Sequence, residues 1–129
     1  MADYLDPTDS VAVPRKTAPR PASLEGKTVT LLDISKAKGD HLLDRIEELL
    51  HERARPKAIV RKKKPTFARP APDALRREIA GATDVLIEAL GATEYRTVVV
   101  PHPIQPLTRD EVRALTDKAY DDIVRRLTT

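Results

Sequence analysis

The chain has 129 residues, of which 33% are charged and 40% are apolar, and its formal net charge is +3. This length and balance predict one globular domain with a single modest core. The chain has no cysteine, which excludes a disulfide framework, a thiolate metal site and a cysteine nucleophile on this chain. The acidic N-terminus has no apolar run typical of a signal peptide, and no stretch could span a membrane, so we expect a cytoplasmic protein with no membrane partner.

The first 26 residues predict an extended arm rather than an element of secondary structure. Four of the 11 prolines interrupt this segment, and it carries mixed charges and few large apolar side chains. We therefore divide the chain into an N-terminal arm at residues 1–26 and a single α/β domain at residues 27–129.

The beginning of the domain alternates strand and helix patterns. Lys27–Asp33 is a short β-branched and aliphatic run, typical of a buried parallel strand. Lys57–Arg61 is a second, short strand candidate. Between the two strands a helix is predicted, with Asp40 as its candidate N-cap. The apolar residues at helical spacing on one face of this helix are Leu42, Leu43, Ile46, Leu49 and Leu50.

Residues 73–90 fit two patterns. Apolar residues spaced by three and four, with Gly91 just past the end, favour one helix. Asp84–Ile87 also fits a strand. We choose the single helix, with Gly81 as a weak point that costs about 1 kcal/mol.

The C-terminal part predicts one more strand and one more helix. Arg96–Val100 is rich in β-branched residues and ends at a proline, which predicts a strand. The last helix begins at Thr108, with Glu111 placed to complete a capping box. The predicted order is β-α-β-α-β-α, a small parallel sheet of about three strands with flanking helices. Such a small sheet has open edges, which a second chain could cover.

Polar residues follow each predicted strand, at the edge where open α/β sheets bind ligands. Asp33, Ser35 and Lys36 follow the first strand. Asp33 either orients a catalytic base or binds substrate, or it caps the next turn. Ser35 either donates a hydrogen bond to substrate or serves the turn, and Lys36 adds positive charge near a helix start, where anions are favoured.

A basic block extends from Arg53 to Arg69, with eight basic residues and no acidic one. It indicates an anionic partner or a solvated basic loop. Lys64, Thr66 and Arg69 stand beside prolines, which would hold them in position for a carboxylate or phosphate. Since the chain has only one Phe and no Trp, stacking on nucleic-acid bases is poorly supported, and we expect no nucleic-acid partner.

His102 is the best candidate for acid–base chemistry, because it stands in a Pro-His-Pro turn directly after the last predicted strand. A structural histidine is the alternative interpretation. His41 and His51 lack metal-pair spacing, and we interpret both as surface residues. The chain has no nucleotide-binding, nucleophile-elbow or zinc motif, so we expect no metal and no cofactor.

Three stretches of the sequence together carry a family resemblance: Pro19–Lys36, Val60–Thr66 with the following Arg-Pro-Ala-Pro, and Val98–Ile104. In these stretches the chain resembles the UGSC family of (seleno)proteins. It implies a loop with selenocysteine or cysteine followed by Gly-Ser-Cys, together with the adjoining helix and strand. This chain lacks that module: Asp84–Gly91 continues almost directly into the segment before Arg96. Ile34 also stands where the family pattern implies Asn.

The resemblance implies a two-part site, with the thiol on another chain. The leading hypothesis is a small subunit of a hetero-oligomeric enzyme, whose homologous larger partner carries the cysteine loop. In it, His102 and Asp33 are catalytic, and Ser35, Lys36, Lys64, Thr66 and Arg69 bind a small anionic substrate. The alternatives are a non-catalytic regulatory or structural homologue, a self-contained cysteine-free enzyme and a basic nucleic-acid-binding module.

Overall fold

The computed structural model describes residues 19–88, 104 and 106–128. Within these residues the elements are β1 (Thr28–Asp33), α1 (Gly39–Arg53), β2 (Ala58–Lys63), α2 (Asp73–Ala82), β3 (Val85–Glu88) and α3 (Arg109–Leu127). The predicted α/β class and the β-α-β-α-β-α order are confirmed. None of the helices in this part of the chain is long and apolar enough to cross a membrane.

The three strands form a parallel sheet with β1 in the centre, in the order β2-β1-β3. Leu32 of β1 lies opposite Lys62 of β2 on one side and Glu88 of β3 on the other. Because all three strands run in the same direction, their carboxyl ends meet at one edge of the sheet, and the loops that follow β1 and β2 begin there.

Helices lie on both faces of the sheet, and they leave Leu86 of β3 40% exposed on one of them. Val29 and Leu31 belong to the main core with α1, whereas Thr30 and Leu32, which are also buried, point to the other face. Arg61 of β2 forms ion pairs with carboxylates of α1, and its neighbour Lys62 pairs with α2. Since consecutive strand residues point to opposite faces, α1 and α2 lie on opposite faces of the sheet.

The main core joins β1, β3, α1 and α3. The buried apolar residues of α1 are Leu43, Ile46, Leu49 and Leu50, which confirms the predicted face except for half-buried Leu42. Tyr120 of α3 packs into the same core. Leu24, near the end of the predicted arm, is only 2% exposed and also packs there.

A network of four charged side chains joins α1 to α3. Arg45 donates to Asp117 at 2.5 Å and to Glu48 at 2.8 Å. Arg113 contacts both oxygens of Glu48, at 2.9 and 2.8 Å. Hydrogen bonds from Arg113, and then from Arg45, lower the pKa of Glu48 to about 2. The network therefore holds the two helices together best when Glu48 is ionised.

The prediction of one helix over residues 73–90 is wrong. The helix ends at Ala82, and a strand begins at Val85. Asp84 begins the pairing with β1: its N–H donates to the Thr28 carbonyl at 3.0 Å, and its carboxylate accepts from the Thr28 N–H at 2.9 Å. One side of β1 is left unpaired by β2. The strand conformation of residues 85–88 is favoured because the N–H and C=O groups on that side of β1 gain hydrogen-bond partners. The predicted strand at Arg96–Val100 lies outside the described residues.

The two predicted helix starts differ in outcome. Thr108 caps α3 as predicted, and its capping box with Glu111 has both reciprocal hydrogen bonds. The prediction that Asp40 caps α1 is wrong, because the N-cap is Lys38, which has a left-handed backbone and makes no side-chain cap. Asp40 lies in the first turn instead, where its negative charge interacts favourably with the helix dipole.

Candidate functional site

The loops after β1 and β2 are joined by hydrogen bonds at the carboxyl edge of the sheet. The N–H of Ser35 donates to Asp33 Oδ1 at 2.8 Å, and the N–H of Lys64 donates to the Asp33 carbonyl at 2.7 Å. The Ser35 hydroxyl donates to the Lys64 carbonyl. The structure therefore brings together three of the residues that the sequence predicts for the site.

Ser35 has an unusual backbone conformation. Its φ is 67°, in the left-handed region, which costs a non-glycine residue about 1–2 kcal/mol. Its two hydrogen bonds, to Asp33 and to Lys64, offset that cost. Strained residues of this kind concentrate at functional sites. The conformation of Ser35 therefore indicates that the surrounding structure holds the backbone of this loop in one conformation.

Asp33 lies against the beginning of α1. A Cβ added to Gly39, the first residue of α1, would lie 4.0 Å from Asp33 Oδ1. A carboxylate in that position is stabilised by the partial positive charge of the helix N-terminus. The anion that the sequence predicts near this helix start is therefore supplied, at least in part, by the chain itself.

The remaining loop residues of the predicted site are more exposed. The ammonium of Lys36 lies 6.0 Å from the centre of the Phe67 ring, so the first and second loops also meet there. Phe67 is 59% exposed. The Thr66 hydroxyl accepts from the Ala68 N–H at 3.2 Å and stabilises its own turn. Arg69 is exposed on the same loop.

Lys64 and Glu88 are two ionisable residues at this edge that are partly or wholly withdrawn from solvent. Lys64 is only 6% exposed, and Glu88 is half-buried at the end of β3. Burial raises the pKa of Glu88, and the positive charge of Lys64 partly opposes that rise. Sequence reasoning missed Glu88 because it assigned these residues to a helix. The signal was available: Val-Leu-Ile-Glu is an apolar strand that ends in a carboxylate.

Four residues of the basic block fall into two groups in the folded chain. Arg61 donates to Asp44 at 2.8 Å and to Glu47 at 2.9 Å, and Lys62 pairs with Glu78. These two cations are therefore neutralised by the helices that cover the sheet. Beyond them, Lys64 is buried and Arg69 is exposed, and these are the members of the block that the sequence assigns to substrate.

The histidines differ in how far the structure describes them. His102, the predicted acid–base group, lies outside the described residues. His51 is exposed, as predicted. His41, also interpreted as a surface residue, is only partly exposed: its side chain is 29% exposed, and its Nδ1 is buried without a hydrogen-bond partner among the described residues. His41 lies in the first turn of α1.

No group of three or more possible ligands among residues 19–88 and 106–128 could hold a metal ion. A groove of about 500 Å³ lies at the opposite end of the domain. It is lined by Leu24 before β1, by Arg53 at the end of α1, and by Tyr120 of α3. The Arg53 guanidinium stacks over the Tyr120 ring at 5.3 Å. None of the predicted site residues within the described part of the chain lines this groove.

Comparison with known proteins agrees with the resemblance in the sequence. The family model described as the UGSC family matches residues 3–93 and 88–129. The two matched segments meet at residues 88–93, directly after β3. No curated protein and no solved structure was found to match. Since the two segments together cover nearly the whole chain, it belongs to the UGSC family.

Proposed function

We propose that the chain is the small subunit of a hetero-oligomeric enzyme, whose cysteine- or selenocysteine-bearing loop lies on a homologous, larger partner. The observation that carries this proposal is the hydrogen-bonded cluster of Asp33, Ser35 and Lys64 in a family member without cysteine. The cluster holds the charged loops after β1 and β2 in a fixed arrangement, although this chain itself cannot supply a thiol.

The chemistry of the cluster fits a small anionic substrate. The backbone of Lys64 is hydrogen-bonded to β1, and the residue is 6% exposed. A lysine whose stem is packed against the sheet holds its ammonium in a restricted position at this edge, which favours an anionic partner. Lys36, Thr66 and Arg69 stand on the neighbouring loops and would enclose the rest of the ligand. In this proposal, His102 is the general acid or base, and Asp33 orients it or binds the substrate.

The form of the family match also supports the proposal. The match consists of two segments that meet at residues 88–93, and the resemblance implies that the cysteine module belongs next to this point. In the proposed enzyme the partner supplies that module across the carboxyl edge. The partner would also cover a free edge of the three-stranded sheet.

One observation favours the alternative of a non-catalytic homologue that stabilises a partner enzyme. Several polar groups of the predicted site already serve the fold: the Ser35 hydroxyl is bound to a carbonyl, and the Asp33 carboxylate holds the Ser35 N–H beside α1. Such a chain would keep the edge as a scaffold and would form the complex without binding substrate.

The first experiment is co-expression with a longer UGSC homologue that has the cysteine loop. We expect one complex with a fixed ratio of the two chains by size-exclusion chromatography and native mass spectrometry. A well-behaved monomer, whose cooperative melting is unchanged by the longer chain, would contradict the proposal and also its alternative.

The second experiment separates the two functions through anion binding, with sulfate as the probe. Lys64→Met removes a buried charge, and Lys62→Met removes the Glu78-paired charge two residues earlier on the same strand. We expect Lys64→Met to weaken sulfate binding about 5- to 150-fold, the equivalent of 1–3 kcal/mol. The Lys62→Met control should change it little. Equal sulfate binding by wild type and Lys64→Met would favour the alternative, in which this edge of the sheet has a structural role and binds no substrate.

A further inference from the structure

Lys64 and Glu88 share one face of the sheet, on opposite sides of β1. Leu32 lies opposite both Lys62 and Glu88. Lys64 continues the ladder two residues after Lys62, because its N–H donates to the Asp33 carbonyl. Side chains two residues apart on a strand point to the same face. Both charges therefore stand on the α2 face, at the carboxyl edge.

The other charges near this edge have partners of their own or point away from this face. On the same face, Lys62 of β2 is paired with Glu78 of α2. Asp33, the charged residue at the end of β1, points to the α1 face and lies beside Gly39. In the loops, Lys36 lies over the Phe67 ring. Within the described residues, the charge that acts on Glu88 is that of Lys64.

We propose that Glu88 is the internal counter-ion of Lys64, and that a small oxyanion binds Lys64 with uptake of a proton by Glu88. This inference rests on the proposed function, because it uses the same anion site. An incoming anion and an ionised Glu88 would repel each other at a partly buried position. A neutral Glu88 removes the repulsion, and its O–H can donate a hydrogen bond to the ligand.

The balance of the step is simple. Sulfate brings two negative charges to the site, and Glu88 loses one by accepting a proton from solvent, so the negative charge opposite Lys64 changes from one to two instead of to three. Burial already raises the pKa of Glu88, and a bound anion raises it further. Between these two pKa values, affinity for the anion falls as pH increases, by up to about tenfold per pH unit.

The experiment is calorimetric titration of the full chain with sulfate, from about pH 5 to about pH 8. Sulfate remains ionised over this range, so any proton uptake belongs to the protein. Glu88→Gln imitates the neutral acid. We expect it to bind sulfate more tightly than wild type at the upper end of the range, with most of the pH dependence lost. The control Glu78→Gln removes the exposed carboxylate on the same face and should keep the wild-type pH dependence.

A second measurement needs no variant of Glu88. Titrations of wild type in two buffers with different ionisation enthalpies give the number of protons taken up per sulfate, and we expect about one where affinity depends most on pH. Wild type that binds sulfate without proton uptake, or Glu88→Gln that keeps the wild-type pH dependence, would overturn this inference alone. Wild type that binds no sulfate at any pH would overturn the proposed anion site as well.

Discussion

Because Ser35 has a left-handed backbone conformation, we expect an unusual order of stability between two variants at this position, Ser35→Gly and Ser35→Ala. Replacing Ser35 with Ala or with Gly removes the same hydroxyl, which donates to the Lys64 carbonyl. The two replacements differ in backbone freedom, because only glycine adopts a φ of 67° without steric cost. Comparing them therefore separates the hydrogen bond from the backbone conformation.

The magnitudes follow from these two contributions. Loss of the hydrogen bond destabilises both variants by about 0.5–1.5 kcal/mol. Glycine avoids the steric cost of the left-handed conformation, about 1–2 kcal/mol. It loses about 0.5–1 kcal/mol of stability because its unfolded chain has greater conformational freedom. We therefore expect Ser35→Gly to be about 0.5–1 kcal/mol more stable than Ser35→Ala, the reverse of the order at an ordinary position.

Urea denaturation followed by circular dichroism measures both variants against wild type. Ala80, an exposed residue within α2, provides the control: Ala80→Gly should lower the free energy of unfolding by about 1 kcal/mol. If Ser35→Gly is less stable than Ser35→Ala, as glycine is less stable than alanine at position 80, then residue 35 is not held in the left-handed region. Both variants at Ser35 should bind sulfate more weakly than wild type, since the hydroxyl holds the loop that carries Lys64.

Two further predictions concern the helices. Thr108→Ala removes the cap of α3 and should lower the free energy of unfolding by about 1 kcal/mol, which corresponds to about 4 °C in Tm; an unchanged Tm would contradict the capping box. The pKa of Glu48 is lowered from 4.5 to about 2. The stability it contributes is therefore complete above about pH 4.5 and is lost as pH falls toward about 2. Acid unfolding of Glu48→Gln should depend less on pH over that interval than acid unfolding of wild type, and identical acid profiles would show that the α1–α3 network adds nothing.

Local patterns in the sequence were sufficient for much of the fold. The amphipathic face of α1, the aliphatic run of β1 and the capping box at Thr108 each depend on residues close together in the chain, and the structure has all three. The loop residues Asp33, Ser35 and Lys64 were predicted together for a related reason. Carboxyl ends of parallel strands must meet at one edge, so a correct strand assignment already places the residues that follow them.

Tertiary structure decided what those patterns left open. Residues 85–88 fit a helix and a strand equally well, and the unpaired edge of β1 selected the strand, which placed Glu88 opposite Leu32. The partners of the basic block were equally hidden, because Arg61 and Lys62 are adjacent in sequence, yet they meet carboxylates on opposite faces of the sheet. A sequence shows which side chains carry charge. Only packing brings together partners distant in the chain, and so decides which charges are neutralised and which remain for a ligand.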